Sequence, residues 1–266
     1  MLGHSFLKRA RRRLLRSIDP AQWLDDWHAE FVSSDAGEYE ISKVASFIDR
    51  NRAAVDVGSL DGVYARHFVD NARKVYVFEA NPICAEFLRK ALPREVVIEN
   101  VALSNGAGSV TLRVPKHNGR AVNALGTIES SNDLDFAQVK RFQVPTKSLD
   151  EFDLQDVGFM KIDVEGHEEA VVAGAEKLLD RWRPALMIEI EERHNSGGVA
   201  RITEHLEGMG YEGRFFDTSV PECPLRRISE FSLELHQQAA QIAQFGQSPR
   251  RRIPYVNNFI YTQRMS

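Results

Sequence analysis

The chain has 266 residues, of which 43% are hydrophobic and 27% charged, a composition typical of an ordinary globular protein rather than a disordered or fibrous one. Its net charge of −4 argues against nucleic acid as a partner, and no apolar run approaches the roughly 18 residues of a membrane span. Its two cysteines, Cys84 and Cys223, form no paired motif, so we expect free thiols in a reducing, cytoplasmic environment.

The first twenty residues carry six basic side chains and one acid, so the rest of the chain carries −9 (−4 minus +5). Apolar residues recur among these basic ones, and the pattern predicts a basic helix. Such a helix either makes peripheral contact with an anionic membrane or docks its leucines on the domain as a solvated leader. No apolar segment follows it, which argues against a secretory signal. Further helical patterns extend this region, and residues 1–50 are predicted to be an N-terminal helical extension.

The apolar run 53–57 ends in a turn bounded by Gly58 and Gly62, and a helical pattern follows. Because glycine has no Cβ, such a turn lets a ligand approach the backbone closely. The glycines lie four residues apart, unlike the GxGxxG pyrophosphate motif, and Asp61 puts negative charge where a pyrophosphate would bind. Asp56, an acid within the strand, needs polar partners. The turn therefore indicates a neutral or cationic nucleoside ligand, or else a purely structural turn.

A second strand pattern, 74–79, ends in Glu79, which lies 23 residues after Asp56 (79 minus 56). An acid about 20 residues on, at the tip of the second strand of a βαβ unit, is placed to accept both ribose hydroxyls. Asn81 precedes a proline and predicts a helix N-cap. A third strand then leads to Asn100–Leu103, which is placed to line an adenine pocket. Alternating strands and helices predict a doubly wound parallel sheet.

The pattern then changes, because residues 109–114 alternate and predict an antiparallel excursion. We predict that residues 115–147 form a polar insertion, which is either a lid over the site or a mobile surface loop. Residues 219–254 are predicted to be a C-terminal helical insertion. Further strands of the main sheet are predicted over 158–164, 185–190, 211–216 and 258–262.

Ionisable residues crowd the end of the predicted fourth strand and the turn after it. A helix dipole explains Glu168 at the start of the next helix, but not Asp163, which lies within the strand pattern. An alternative is a magnesium site, since oxygen ligands suit that ion, although the spacing matches no recognised metal motif. The residues of that alternative are Asp163, Glu165, His167 and Glu189.

These segments resemble the FkbM family of S-adenosylmethionine-dependent methyltransferases. The resemblance rests on 55–62, 77–82, 100–104 and above all MKIDVEGHE at 160–168, and it covers about residues 53–192. It implies an α/β fold with a Rossmann-like, seven-stranded, mostly parallel sheet, helices on both faces and an antiparallel last strand, in a methyltransferase domain over 51–266. It also implies transfer of a methyl group from S-adenosylmethionine to a hydroxyl of a sugar, glycan, glycolipid or secondary metabolite.

The resemblance implies roles for the residues already singled out. Asp56 and the glycine turn would hold the methionine end of the donor, and Glu79 its ribose. A base must accept the proton of the acceptor hydroxyl; His167 and Asp163 are the candidates, and Asp163 alternatively binds the donor's ammonium group. The predicted catalytic residues are Asp163, His167 and Glu189; the predicted cofactor-binding residues are Asp56, Gly58, Ser59, Asp61, Gly62, Glu79, Asn81, Asn100, Ala102 and Asp163.

Two rival functions remain open at the level of the sequence. An oxidoreductase of this fold would need the GxGxxG motif, which the first turn does not contain. A non-catalytic scaffold of the same fold would dock to a membrane or to a partner enzyme through residues 1–20. The enzyme reading instead predicts a hydroxylated small molecule or glycan as the partner.

Overall fold

The computed structural model describes residues 14–33, 38–117, 120–129, 138–238 and 255–264. Within them, the strands of one large sheet and one small sheet alternate with helices along the chain. The strands are β1 (Ala53–Val57), β2 (Lys74–Phe78), β3 (Val97–Glu99), β4 (Ala102–Leu103), β5 (Gly108–His117), β6 (Arg120–Ala121), β7 (Gln138–Lys147), β8 (Val157–Ile162), β9 (Ala185–Glu189), β10 (Tyr211–Phe216), β11 (Leu225–Arg227) and β12 (Asn258–Gln263). The helices are α1 (Pro20–Ser33), α2 (Ile41–Val44), α3 (Val63–Asn71), α4 (Pro82–Ala91), α5 (Glu168–Ala173), α6 (Glu176–Trp182), α7 (Gly198–Gly208) and α8 (Leu233–His236).

The large sheet has the strand order β11-β10-β12-β9-β8-β1-β2-β3. Strands β3, β2, β1, β8 and β9 pair in parallel, and β12 is inserted antiparallel between β9 and β10. The predicted Rossmann-like α/β fold with an antiparallel last strand is therefore confirmed. The predicted number of seven strands is wrong, because this sheet has eight.

The eighth strand is β11, which pairs antiparallel with β10 at the edge of the sheet. It lies within 219–254, where the sequence predicted a helical insertion. Its three residues, Leu-Arg-Arg, are too few to show a strand alternation, so only pairing with β10 identifies them. In the described part of that insertion, α8 spans four residues, and 239–254 lie outside the described residues.

Two apolar cores lie on the two faces of the large sheet, because successive strand residues point to opposite faces. Val55 packs with α5, α6 and α7, whereas its neighbour Ala54 packs with α1 to α4. Strand β8 is buried along its whole length, as expected for a central parallel strand with both faces covered. This arrangement leaves the carboxyl ends of the central strands at one edge, where ligands bind in open α/β sheets.

Helix α1 belongs to one of these cores. Its Leu24 is completely buried and packs with α3 and α4, and burial of a leucine side chain is worth about 2 kcal/mol. The proposed boundary between an extension and a domain at residue 50 stays a prediction. Residues 1–13 of the predicted basic helix lie outside the described residues, so membrane contact through them also stays a prediction. Among the helices that the structure describes, none has the length and apolarity required to cross a bilayer.

The small sheet has the order β4-β7-β5-β6 and is built mainly from the long β5–β7 hairpin. Within the predicted insertion 115–147, the end of β5, β6 and β7 belong to this sheet, and residues 122–129 follow β6. Residues 118–119 and 130–137 lie outside the described part. Leu112 and Val114 of β5 pack on Ala102 and Ala80 beside the large sheet. The hairpin is therefore fixed to the edge of the domain near β2 and β4.

Candidate functional site

A cavity of about 440 Å³ lies at the carboxyl ends of β1, β2, β8 and β9. Its walls are completed by residues 38–40, by Asn123, Leu125, Gly126 and Ile128, and by Tyr255 and Asn257. Seven of the twelve predicted site residues line it: Gly58, Glu79, Asn81, Ala102, Asp163, His167 and Glu189. The other five do not contribute to its lining: Asp56, Ser59, Asp61, Gly62 and Asn100. The sequence therefore points to one place in the fold, although the individual roles of these residues stay predictions.

The turn after β1 requires glycine at both of its ends. Gly58 has a φ of +79°, and a Cβ there would lie 1.7 Å from the carbonyl oxygen of Asp163. Gly62 has a φ of +86°, and a Cβ would lie 2.5 Å from a methyl group of Leu88 on α4. The turn lies directly against the end of β8 and against α4, and the positive φ at both glycines disfavours any side chain.

The two aspartates of this region face the protein rather than the cavity. Asp56 is buried and accepts a hydrogen bond of 2.7 Å from the Ser59 hydroxyl, and burial raises the pKa of its carboxyl group. Asp61 accepts a hydrogen bond of 2.9 Å from the indole of Trp27, which ties the turn to α1. Both contacts shape the turn.

Glu79 stands at the tip of β2 and is 7% exposed. Its Oε2 accepts from the amide of Leu60 at 2.8 Å, and its Oε1 accepts from the amide of Asn81 at 2.7 Å. Burial raises the pKa of this carboxyl group to about 7, although the two amide hydrogen bonds act to lower it. Since each carboxylate oxygen accepts two hydrogen bonds, both oxygens keep capacity for a diol in the cavity.

Amide side chains surround the same end of the cavity. Asn81 caps α4 by accepting from the amide of Ile83 at 3.1 Å, and its Nδ2 donates to Oδ1 of Asn123 at 3.2 Å. Asn100 donates to the carbonyl oxygens of Glu79 and Ala80 at 2.7 and 3.1 Å. Asn100 therefore holds the β2 tip in place, whereas Asn81 and Asn123 line the cavity.

A buried lysine lies beside Asp163, one of the residues that line the cavity. Lys161 is 2% exposed, donates to Oδ2 of Asp163 at 2.7 Å and lies 4.5 Å from the centre of the Tyr64 ring. Burial alone would lower its pKa, but the charges of Asp163, Asp56 and Glu189 outweigh burial and raise it above the usual value. Lys161 is therefore the shared counter-charge of three acids, all of which belong to the predicted site.

His167 is held at both ring nitrogens. Its Nδ1 contacts Oε1 of Glu129, and its Nε2 lies 2.9 Å from the hydroxyl of Ser104. Because a carboxylate only accepts hydrogen bonds, Nδ1 carries the proton in the neutral ring and Nε2 accepts from Ser104. The residues that make these contacts come from the end of β4 and from the segment before β7.

Seven carboxyl groups and one guanidinium, that of Arg193, belong to the described lining of the cavity. Burial, followed by the charge of Asp163, raises the pKa of Glu165 to about 9 and raises that of Glu189 well above its usual value. Burial also raises the pKa of Glu191, which pairs with Arg193. A cavity of this kind disfavours anions and favours ligands that are cationic or rich in hydroxyl groups.

Sequence reasoning missed several residues that the fold brings here. Glu38 reaches the cavity from before the first strand, and its Oε2 accepts from the Tyr64 hydroxyl at 2.7 Å; no local pattern indicates this. Lys161 offered a signal, since a lysine inside an apolar strand requires a buried counter-charge. Glu129 and Asn123 lie within the predicted polar insertion, where no pattern distinguishes them from the other polar residues.

The magnesium alternative receives no support from this geometry. Throughout the described part of the chain, no group of three or more histidine, cysteine, aspartate or glutamate side chains is placed to hold a metal ion. Asp163 instead pairs with Lys161, and His167 pairs with Glu129 and Ser104.

Comparison with known proteins supplies the family. The methyltransferase FkbM domain matches residues 56–212, more than half of the chain. The chain belongs to the FkbM methyltransferase family. The matched range of this FkbM chain includes the glycine turn, Glu79, Asp163, His167 and Glu189. Among curated proteins, none matches the chain.

One solved structure supports the fold of the FkbM chain. A methyltransferase FkbM from Methylobacillus flagellatus KT is similar, with a TM-score of 0.53, 14% identity, and coverage of 89% of this chain and 50% of that one. The chain thus spans about half the length of that relative. SMU.1697c of Streptococcus mutans, solved in complex with SAH, has a TM-score of 0.45 and 11% identity, with coverage of 84% of this chain and 95% of that one. A TehB-like SAM-dependent methyltransferase of Corynebacterium glutamicum has a TM-score of 0.43 and 13% identity, with coverage of 99% of this chain and 100% of that one. The last two scores are too low to support an argument.

Proposed function

We propose that this FkbM chain is an S-adenosylmethionine-dependent O-methyltransferase that acts on a hydroxyl of a sugar, glycan, glycolipid or secondary metabolite. The observation that carries the proposal is the buried Glu79 carboxylate, fixed by two backbone amides in the wall of the cavity beside the glycine turn. This position suits a ribose diol, and the family match supports S-adenosylmethionine as the donor.

The residues of the cavity fit that donor. A sulfonium and an ammonium group are both cations. Burial raises the pKa of Glu165 to about 9 and leaves that group neutral, but acids still outnumber the one guanidinium among the residues that line the cavity. Glu79 would bind the ribose, and the backbone at Gly58 would bind the methionine end. When bound, S-adenosylmethionine supplies a methyl group that is already activated for displacement. The protein therefore has to align the acceptor, exclude water and accept one proton.

Asp163 is the proton acceptor in this proposal. Its Oδ2 is held by Lys161, and it lines the cavity. Burial raises the pKa of Glu189 well above its usual value, and its Oε1 already accepts a hydrogen bond of 2.7 Å from Asn257, so we assign it no proton-transfer step. His167 has both ring nitrogens engaged by Glu129 and Ser104. Asp163 would accept the proton while the acceptor oxygen forms its bond to the methyl carbon and the carbon–sulfur bond breaks.

Calorimetric titration of S-adenosylhomocysteine into the wild type, Glu79→Ala and Glu99→Ala tests the donor site. Glu99 is exposed at the end of β3, the strand next to β2, and serves as the matched control. We expect micromolar binding by the wild type and by the control, and a loss of at least about 100-fold in Glu79→Ala, since two hydrogen bonds to a charged group disappear. A folded wild type that does not bind would refute the methyltransferase proposal and favour the scaffold alternative.

Turnover tests the acceptor. A panel of hydroxylated glycans and metabolites, assayed with labelled S-adenosylmethionine, should yield O-methylated product with the wild type. Asp163→Asn should lose roughly 100-fold or more in kcat while retaining donor binding, because a general base contributes about 10²–10⁴-fold. Unchanged kcat in that variant would exclude Asp163 as the proton acceptor.

A further inference from the structure

Residues 120–129, called the strap below, run along one side of the cavity. On the outer side the strap is anchored to β5, where Thr127 and Arg113 exchange backbone hydrogen bonds of 2.9 and 3.0 Å. The amide of Val122 donates to the carbonyl oxygen of Pro115 at 2.8 Å. This side is therefore an extension of the small sheet.

On the inner side the strap is attached to the large sheet through side chains at three places. Asn123 accepts from Asn81 at 3.2 Å, and the Thr127 hydroxyl donates to the carbonyl oxygen of Glu165 at 3.1 Å. The third attachment is the contact of Glu129 with His167. These contacts place the strap opposite the tip of β2 and the turn after β8.

The third attachment is the strongest of the three, because an ionised carboxylate makes a stronger hydrogen bond than a neutral group. The His167 side chain is 16% exposed, and Glu129 is 31% exposed, so solvent screens the pair only in part. The Ser104 hydroxyl, 2.9 Å from Nε2, fixes the other edge of the ring. His167 thus joins the end of β4, the turn after β8 and the strap.

The part of the cavity beside the strap is lined by apolar side chains and by amides. Leu125 and Ile128 of the strap line it on one side, and Ala102 and Leu112 also line it. The paired amides of Asn81 and Asn123 stand at its edge. A cavity wall of apolar side chains with a few polar groups at its edge suits a flat nucleobase.

We propose that the strap is the second wall of the nucleobase-binding half of the cavity, and that Glu129, His167 and Ser104 hold it there. His167 is then a positioning residue for donor binding rather than the proton acceptor. This inference rests on the proposed function, because the nucleobase is that of the donor.

Donor affinity tests the role of these contacts. Titration of S-adenosylhomocysteine into Glu129→Ala should show binding about tenfold weaker than in the wild type, because the strap is no longer held over the base. Glu129→Gln keeps a carbonyl oxygen that accepts from Nδ1, so it should recover most of the affinity. Glu86→Ala is the matched control, since Glu86 lies on α4 with a side chain that is 69% exposed.

The protonation of the ring supplies a readout that needs no ligand. ¹⁵N-histidine NMR, with the His167 signals assigned from His167→Gln, should show a proton on Nδ1 and none on Nε2 in the neutral wild-type ring. Glu129→Ala should shift this tautomer balance toward Nε2–H, and amide hydrogen exchange of the strap should become faster. A mutation that merely destabilised the fold would not change the tautomer selectively.

The outcomes separate the inference from the proposed function. Wild-type affinity in both Glu129→Ala and Ser104→Ala would overturn the inference while leaving the methyltransferase proposal intact. Failure of the wild type to bind S-adenosylhomocysteine would overturn both, since the strap would then have no nucleobase to cover. Weakened binding with an altered tautomer in Glu129→Ala, and rescue by Glu129→Gln, would support it.

Discussion

Replacing Lys161 with methionine should destabilise the chain strongly, because it removes the counter-charge of the buried acids. Methionine keeps the volume and the apolar stem of lysine but not its charge. Lys161 is 2% exposed and its ammonium group lies 2.7 Å from Oδ2 of Asp163, while Asp56 and Glu189 also raise its pKa through their charges. Removal of one partner of a buried ion pair costs about 3–5 kcal/mol.

The exposure of Asp163 sets the value within that range. Its side chain is 28% exposed, so solvent and the cavity relieve part of the cost, and we expect a loss of about 3 kcal/mol in the free energy of unfolding. The acids can also take up protons once Lys161 is gone. The stability difference between the wild type and Lys161→Met should therefore shrink as the pH falls from 8 toward 5.

Urea unfolding at several pH values, followed by circular dichroism, measures this difference. Lys90→Met is the control, because Lys90 is 60% exposed in an i,i+4 pair with Glu86, and it should not change stability measurably. Lys161→Met combined with Asp163→Asn should recover part of the loss, since it removes one uncompensated carboxylate. A loss below about 1 kcal/mol at pH 8, or a difference that does not shrink at low pH, would refute the reasoning.

Three further perturbations have defined outcomes. Gly58→Ala should lower the thermal unfolding temperature sharply or prevent folding, because a Cβ there overlaps a carbonyl oxygen at 1.7 Å; an unchanged temperature would contradict this. Burial raises the pKa of Glu168 to about 7, so its stabilising contribution is complete below pH 4.5 and is lost as the pH rises through 7. In urea unfolding, the stability of Glu168→Gln relative to the wild type should therefore rise by about 2.5 kcal/mol between pH 5 and pH 8, and a constant difference would refute the linkage. Trp27→Phe removes the hydrogen bond to Asp61 and should lower the free energy of unfolding by about 1 kcal/mol. Calorimetry should show unchanged binding of S-adenosylhomocysteine to this variant, whereas weakened binding would indicate that Asp61 contacts the donor.

The sequence by itself determined which segments form the central parallel strands and at which edge of the sheet the cavity lies. Strand patterns, a glycine turn and acids at strand ends are local signals, because they depend on residues within a few positions of one another. They sufficed to predict a parallel sheet and to place Glu79 and Asp163 at its carboxyl edge. Edge strand β11 escaped prediction because three residues show no period, and its identity depends on pairing with β10.

Only the tertiary structure decided which side chains meet. Lys161 becomes the counter-charge of several acids because β1, β8 and β9 lie side by side, and Glu129 reaches His167 because the segment before β7 lies along the wall of the cavity. Asp61, which the sequence assigned to the donor, contacts Trp27 on α1. His167 and Glu129 are 38 positions apart in the sequence, and Trp27 and Asp61 are 34 positions apart. No local period encodes a contact at a distance of tens of residues, because packing of whole elements sets it.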